Sequence, residues 1–197
     1  RYPAGGETMR DTVWLLRPEG SRMNEISQPR RPQQIPEYAL ICLQALVAHG
    51  LGYKVSLGGA LGLAHYYEYR PTHDVDAWWT AEANAADRKR VVSVLQETLA
   101  PFGAVQVRTW GDVISVELEQ AQRVVFSFQI ARRSAQLAPA QPAPWIDVLL
   151  DSLEDLIASK MVGLIERGAP RDFRDIYMLC QAGGTEPEGW WALGVER

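Results

Sequence analysis

Between Lys54 and Trp79 the chain reads KVSLGGALGLAHYYEYRPTHDVDAWW, the stretch that most restricts what it can fold into. The pattern predicts a strand ending in Gly58-Gly59, a short helix, and a second strand carrying Asp74 and Asp76. Strand side chains alternate, so two carboxylates two residues apart leave the same face. Such a pair can hold one or two hard cations through its oxygens. A glycine pair at a strand-to-helix turn lets backbone N–H groups approach a phosphate at the helix N-terminus. Each feature alone is common, because glycine pairs mark ordinary tight turns and Asp-x-Asp falls on exposed loops by chance. Their order within one short span is far more specific, and it reads as a metal–nucleotide site.

At 197 residues the chain has room for one domain, or one domain with a small helical appendage. Its 47% hydrophobic and 22% charged residues suit a soluble globular protein with a real core. A net charge of −4 argues against a general nucleic-acid binder coated in positive charge, though not against a local basic patch beside a groove. Cys42 and Cys180, both in apolar helical patterns, read as free thiols of a reducing compartment rather than as a disulfide framework. No apolar run is long enough to span a bilayer and no signal-peptide pattern is present, so the cytoplasm is the expected location. Met23 is a candidate natural start.

Residues 1–34 show little periodicity beyond a short strand at Thr12–Leu16 and read as an arm or linker; Arg30 and Arg31 lie between Pro29 and Pro32. A core of residues 35–150 follows. Ile35-Pro36 opens a helix with apolar Leu40, Leu43, Leu46 and Val47, ended by His49-Gly50. Tyr53–Leu57 is the strand that enters the glycine pair. A helix from about Glu82 to Leu99 has Val91, Val92, Leu95 and Leu99 inward and Asp87, Arg88, Lys89 and Arg90 in water. Val105–Thr109, Val113–Leu118 and Val124–Ile130 are spaced as antiparallel hairpins. Proline-rich Ala138–Pro144 is expected to be a stiff loop, and Trp145–Leu149 a last short strand.

Residues 151–197 form a helical segment. Ser152-Leu153-Glu154-Asp155 has the form of a capping box, opening a helix whose apolar stripe is Leu153, Leu156, Ile157, Met161 and Leu164. Lys160 lies on that stripe, so either its stem snorkels to water or its charge meets an anion. After Gly168 and Pro170 a second helix begins near Arg171 with Asp172 and Asp175. Asp172 suits the helix dipole without any catalytic role, and Arg167, Arg171 and Asp175 could form a structural ion-pair network. Trp190-Trp191 is expected to dock on the core.

Two separated motifs agree with one known family. GGALGLAHYYEYRPTHDVDAW resembles the glycine-pair, Arg-x-Thr/Ser-x-Asp-x-Asp motif of AbiEii/AbiGii-toxin-type nucleotidyltransferases. SLEDLIASKMVGLIERGAPRDFRDIYML resembles that family's later Lys, Arg and Arg-Asp-x-x-Asp segment. The resemblance runs from about Val55 to Leu179. It implies the α+β fold of DNA-polymerase-β-like nucleotidyltransferases: a small mixed sheet flanked by helices, with C-terminal helices. It also implies that Gly58 and Gly59 lie against a triphosphate, that Asp74 and Asp76 hold Mg²⁺, and that Lys160 approaches the phosphates. Arg70, Thr72 and Arg171 match nucleotide-binding positions, and Asp175 matches the motif's closing acid, a participant in catalysis with Asp74, Asp76 and Lys160.

The implied reaction is in-line attack of an acceptor hydroxyl on the α-phosphorus of a nucleoside triphosphate. The implied acceptor is tRNA or another cellular molecule, with a cognate antitoxin as partner. Many enzymes of this fold carry a third carboxylate on a later strand, where VVFSFQI offers Ser127 and Gln129; Glu117 and Asp147 are the neighbouring substitutes. Two other readings remain in view: a small-molecule (antibiotic) nucleotidyltransferase, and a catalytically degenerate nucleotide-binding protein.

Overall fold

Val55–Leu57 (β1), buried at all three positions, leads into the glycine pair from near the middle of a seven-stranded mixed sheet. The computed structural model describes residues 28–133, 135–183 and Val195. The short strand expected at Thr12–Leu16, the candidate start at Met23 and the docking of Trp190-Trp191 lie outside them. After helix α1 (Glu37–Ala48) and β1 come α2 (Gly59–Ala64), β2 (Val75–Trp79) and α3 (Ala85–Leu99). Then follow β3 (Ala104–Trp110), β4 (Val113–Gln120), β5 (Arg123–Ala131), β6 (Gln141–Pro142) and β7 (Leu149–Leu150), closed by α4 (Leu153–Arg167) and α5 (Pro170–Gly183).

The sheet order is β3-β4-β5-β2-β1-β7-β6. The neighbouring pairs β2/β5 and β1/β7 are parallel, whereas β1/β2 and the β3-β4-β5 meander are antiparallel. The expected α+β class, mixed sheet and C-terminal helices are therefore present. Alternation sorts each strand into two faces. Val75, Ala77, Val116, Leu118, Phe126, Phe128 and Ile130 make one buried face, against which α1 places Tyr38 beside Phe126. α1 and α3 pack on each other there. The other face carries the polar members of the same strands, Asp76 among them, with Asp74 just before β2.

Several boundaries differ from the sequence expectations, each for a local reason. Tyr53 and Lys54 belong to a 3₁₀ turn before β1 rather than to the strand. α3 starts at Ala85, not near Glu82, because Asn84 caps it: its side chain accepts from Ala86 N and Asp87 N while Asp87 answers through the Asn84 N–H. Asp87 and Arg88 are half-buried rather than solvated, since Asp87 pairs with Lys54 at 3.1 Å and Arg88 lies over Trp79. The proline-rich loop is interrupted by β6, which pairs with β7; Pro142 is tolerated because β6 is an edge strand. The last strand is Leu149–Leu150 and not Trp145–Leu149.

Ser152 does cap α4, accepting from Asp155 N, but the capping box is not reciprocal. The Asp155 carboxylate instead receives Arg133 and the N–H groups of Leu137 and Ala138. Residues 30–34 are tied to the core: Arg30 N donates to His65 O, and Gln33 N and Gln34 N donate to the Glu68 carboxylate. Cys42 and Cys180 form no disulfide, and burial pushes Cys42 up to about 12. Among the described residues no helix is long and apolar enough to cross a membrane.

Candidate active site

Strand alternation puts Asp76 and Trp78 on the polar face of β2, while Asp74, expected on the strand, lies in the bend just before it. The parallel register sets Asp76 beside Gln129 on β5. Asp74 Oδ1 accepts two hydrogen bonds from Ser127, from its N–H at 3.0 Å and its hydroxyl at 3.1 Å, and Gln129 Nε2 donates to Ser127 Oγ. Thr72 donates its hydroxyl to the Asp74 carbonyl, fixing the entry to the strand. No donor among the described residues reaches Asp74 Oδ2 or either Asp76 oxygen, so three carboxylate oxygens remain available to a cation.

Ser127 and Gln129 are the β5 side chains that stand beside these acids. Of the two substitutes, Glu117 does share this face, opposite Ser127 across the β4/β5 pair. It is already engaged, with Arg108 Nε at 3.1 Å and the Ser115 hydroxyl at 3.2 Å. Asp147 is excluded by position. It is exposed in the turn before β7, and its carbonyl lies against Gly52, at the end of β1 opposite the glycine pair. Among the described residues no three His, Cys, Asp or Glu side chains gather as a metal cluster.

The glycine pair is required by what lies against it. Gly58 donates its N–H to the Asp76 carbonyl at 2.8 Å, and a Cβ there would sit 2.6 Å from Trp78 Nε1. Gly59 has φ +56°, and a Cβ on it would fall 2.1 Å from Asp76 Oδ2. Gly59→Ala is therefore expected to cost about 1–2 kcal/mol from backbone conformation alone and to displace Asp76. Thermal denaturation together with a cation-binding titration checks this; a variant with unchanged stability and metal affinity would contradict it.

Across the cleft, α4 brings Lys160 to the same place. A cavity of about 590 Å³ is lined by Gly59, Asp76, Trp78, Gln129, Lys160 and Arg167, among others. Lys160 is only 9% exposed, which rules out snorkelling. Its ammonium lies 2.8 Å from Asp175 and 3.7 Å from Asp172, both buried on α5. Asp175 is also gripped by Arg70 through two 2.9 Å bonds. The Tyr69 hydroxyl lies by the same carboxylate without a hydrogen bond of ordinary geometry. Arg167 reaches Asp172 at 3.4 Å, so the expected ion-pair network exists with a different membership: Arg70, Lys160 and Arg167 against Asp172 and Asp175. Arg171 is exposed and outside it.

Burial raises the Asp76 pKa above the ordinary carboxylate range; Lys160 opposes the shift and neighbouring Asp74 reinforces it. The Asp76 side chain is nevertheless open to solvent, since a narrow cleft admits water while protein surrounds the group at longer range. Asp175 behaves oppositely. Burial would raise it, but Arg70 and Lys160 together outweigh that and hold it at about 2.

Of the residues singled out from sequence, Gly59, Asp76 and Lys160 line one cavity, with Asp74 just before the strand that carries Asp76. Gly58 and Thr72 brace that strand, and Arg70 is turned to Asp175. The buried role of Asp172 is not evident from sequence, where it shows only as the first acid of the Arg-Asp-x-x-Asp segment and as a residue suited to the helix dipole. A second buried cluster, in which Asp151 accepts from Ser56 and Arg133, carries no local sequence signal at all.

A family model described as "Nucleotidyl transferase AbiEii toxin, Type IV TA system" matches residues 41–194. No curated protein matches the chain in sequence. Among solved structures, the solution structure of the antibiotic-resistance factor ANT(2″)-Ia aligns with a TM-score of 0.55 at 14% identity, covering 79% of this chain and 86% of that one. The same factor in complex with adenylyl-2″-tobramycin aligns with a TM-score of 0.48 at 17% identity, covering 80% and 94%. An antigenic nucleotidyltransferase-like protein from Paracoccidioides brasiliensis gives 0.43 at 13%, covering 71% and 72%. At such identities the likeness concerns the fold alone.

Proposed function

We propose that this chain, which belongs to the AbiEii nucleotidyl transferase toxin family, transfers a nucleoside monophosphate from a nucleoside triphosphate to an acceptor hydroxyl. The observation that carries this reading is the convergence of Gly59, Asp76 and Lys160 on one cavity from three different elements. The bond formed joins the acceptor oxygen to the α-phosphorus; the bonds broken are the acceptor O–H, whose proton is released to solvent, and that from the phosphorus to the bridging oxygen, and pyrophosphate leaves.

Asp74 and Asp76 would hold Mg²⁺. Their three available oxygens suit a hard cation that takes one or two carboxylates from protein and the rest from phosphate and water. When bound, such an ion polarises phosphoryl oxygens and lowers the cost of charge on them. That division of ligands makes a third carboxylate dispensable for a single ion. The chain's own residues do the positioning. Gly59 lets the Asp76 carboxylate pack against the start of α2, and Lys160, held by Asp175, sets a positive charge over the leaving group.

We assign the acceptor to tRNA or another cellular RNA, in keeping with a toxin of a type IV toxin–antitoxin system, with an antitoxin as partner and the cytoplasm as setting. The fold shared with ANT(2″)-Ia favours one rival, a small antibiotic acceptor. Incubation with Mg²⁺, each labelled nucleoside triphosphate and either total tRNA or aminoglycosides separates them. Label on tRNA supports the proposal, label on the aminoglycoside replaces it with the rival, and bound nucleotide without transfer marks a degenerate site.

Lys160→Met tests the phosphate contact. Arg70 keeps Asp175 paired, so the fold is retained, and triphosphate affinity is expected to fall about tenfold or more. Nucleotide titration by calorimetry reads this; unchanged affinity would remove Lys160 from the phosphate site.

A further inference from the structure

The cavity beneath Lys160 has a neighbour. Trp78 and Ala131 line the first cavity; Trp79, the next residue of β2, and Arg132, the residue that follows β5, line a second one of about 660 Å³. Both reach the C-terminal ends of β2 and β5. The charged lining of the second cavity is Arg88, Arg132, Arg133 and Glu82. Arg133 is committed to Asp151 and Asp155. Arg88 uses only its Nε, donated to the Ala83 carbonyl, while its plane rests over Trp79. Arg132 is exposed and forms no ion pair among the described residues.

A chain of net charge −4 thus leaves two guanidinium groups without carboxylate partners around one concavity. Tyr53, 45% exposed, stands at the same lining as an aromatic surface. Open guanidinium forks beside an exposed ring match phosphodiester groups and bases, and they repel a polycationic aminoglycoside.

We infer that this second cavity holds the phosphodiester backbone of a single-stranded polynucleotide whose terminal hydroxyl reaches the first cavity, with Arg88 and Arg132 on its phosphates. The inference rests on the proposed transferase reading and specifies the acceptor's path. An acceptor held in both cavities is anchored one step away from its reacting end, which lets a weakly charged enzyme hold RNA without a basic surface.

The test uses the full chain and a fluorescently labelled single-stranded RNA dodecamer with a free 3′ hydroxyl, followed by anisotropy across a salt series. Arg88→Gln with Arg132→Ala should weaken binding roughly tenfold and reduce the slope of log affinity against log salt by about 0.7 for each phosphate that is no longer neutralised. Affinity for a labelled nucleoside triphosphate should not change. Arg132→Ala alone, at an exposed position that leaves the Arg88–Trp79 packing intact, should show about half that reduction in slope, and Arg132→Lys should restore it. Unchanged RNA affinity and slope in the double variant would overturn the inference, as would a parallel fall in nucleotide affinity, which would make the cavity part of the nucleotide site. Wild-type protein that transfers label to a small acceptor yet binds no RNA would overturn the inference and leave the transferase reading standing.

Discussion

Asp76→Ala is expected to abolish nucleotide transfer, by on the order of 10³-fold or more, while leaving the fold at least as stable as the wild type. The activity loss follows from position. Asp76 lies against Gly59, shares the cavity with Lys160 and offers two oxygens with no donor among the described residues. The retained stability follows from the sign of its pKa shift. A carboxyl whose folded pKa lies above its unfolded value favours the folded state only while protonated, and it opposes folding once pH rises above that range. At neutral pH the ionised group is therefore a burden, set beside Asp74 and partly desolvated, and its removal relieves that burden. Transfer assays paired with thermal melts check both halves. Residual wild-type activity would sink the site assignment, and a large drop in melting temperature would show that Asp76 is a structural residue.

Asp175→Ala should have the opposite profile, a loss of about 3–5 kcal/mol in folding free energy. The side chain is fully buried and accepts from Arg70 on one flank and Lys160 on the other. Removing it strands two cations in a space with only Asp172 left to answer them, and Asp172 Oδ1 is 3.7 Å from the ammonium. The cost also has a pH signature. The folded-state pKa is depressed to about 2, so the stabilisation is complete above the unfolded value near 3.8 and is lost as pH falls towards 2. Urea denaturation of wild type and of Asp175→Asn, compared between pH 6 and pH 2.5, isolates this contribution as the part of the acid loss that the variant lacks. Equal acid sensitivity in the two proteins would contradict the placement of Asp175.

The two profiles divide the acidic residues by function: one is exposed to a cleft and costly to keep charged, the other is buried and neutralised. Both lie in motifs legible as text. Alternation is enough to put Asp76 on the polar face of its strand, though β2 begins one residue after Asp74, and Gly58-Gly59 is recognisable because a strand-to-helix turn needs little else. The helical stripe around Lys160 is also legible, because a 3.6-residue period is a local property. Its oddity, an ammonium among Ile157 and Leu164, is visible too, but not its resolution. A local pattern cannot say whether a buried cation is paired.

What the sequence determined by itself was therefore what depends on neighbours along the chain: most elements, the acid pair, the glycine turn and the family motifs, whose resemblance implied the α+β class. Boundaries failed where a side chain intervened, as when Asn84 capped α3 three residues late. Tertiary structure alone decided which distant groups meet. It set Ser127 and Gln129 beside the acids through the parallel β2/β5 register, and it removed Asp147 by placing it at the far end of β1. It turned Arg70 to a carboxylate 105 residues away. The physical reason is that charge interactions and steric contacts depend on distance in space, and the chain sets that distance only once the sheet order is fixed.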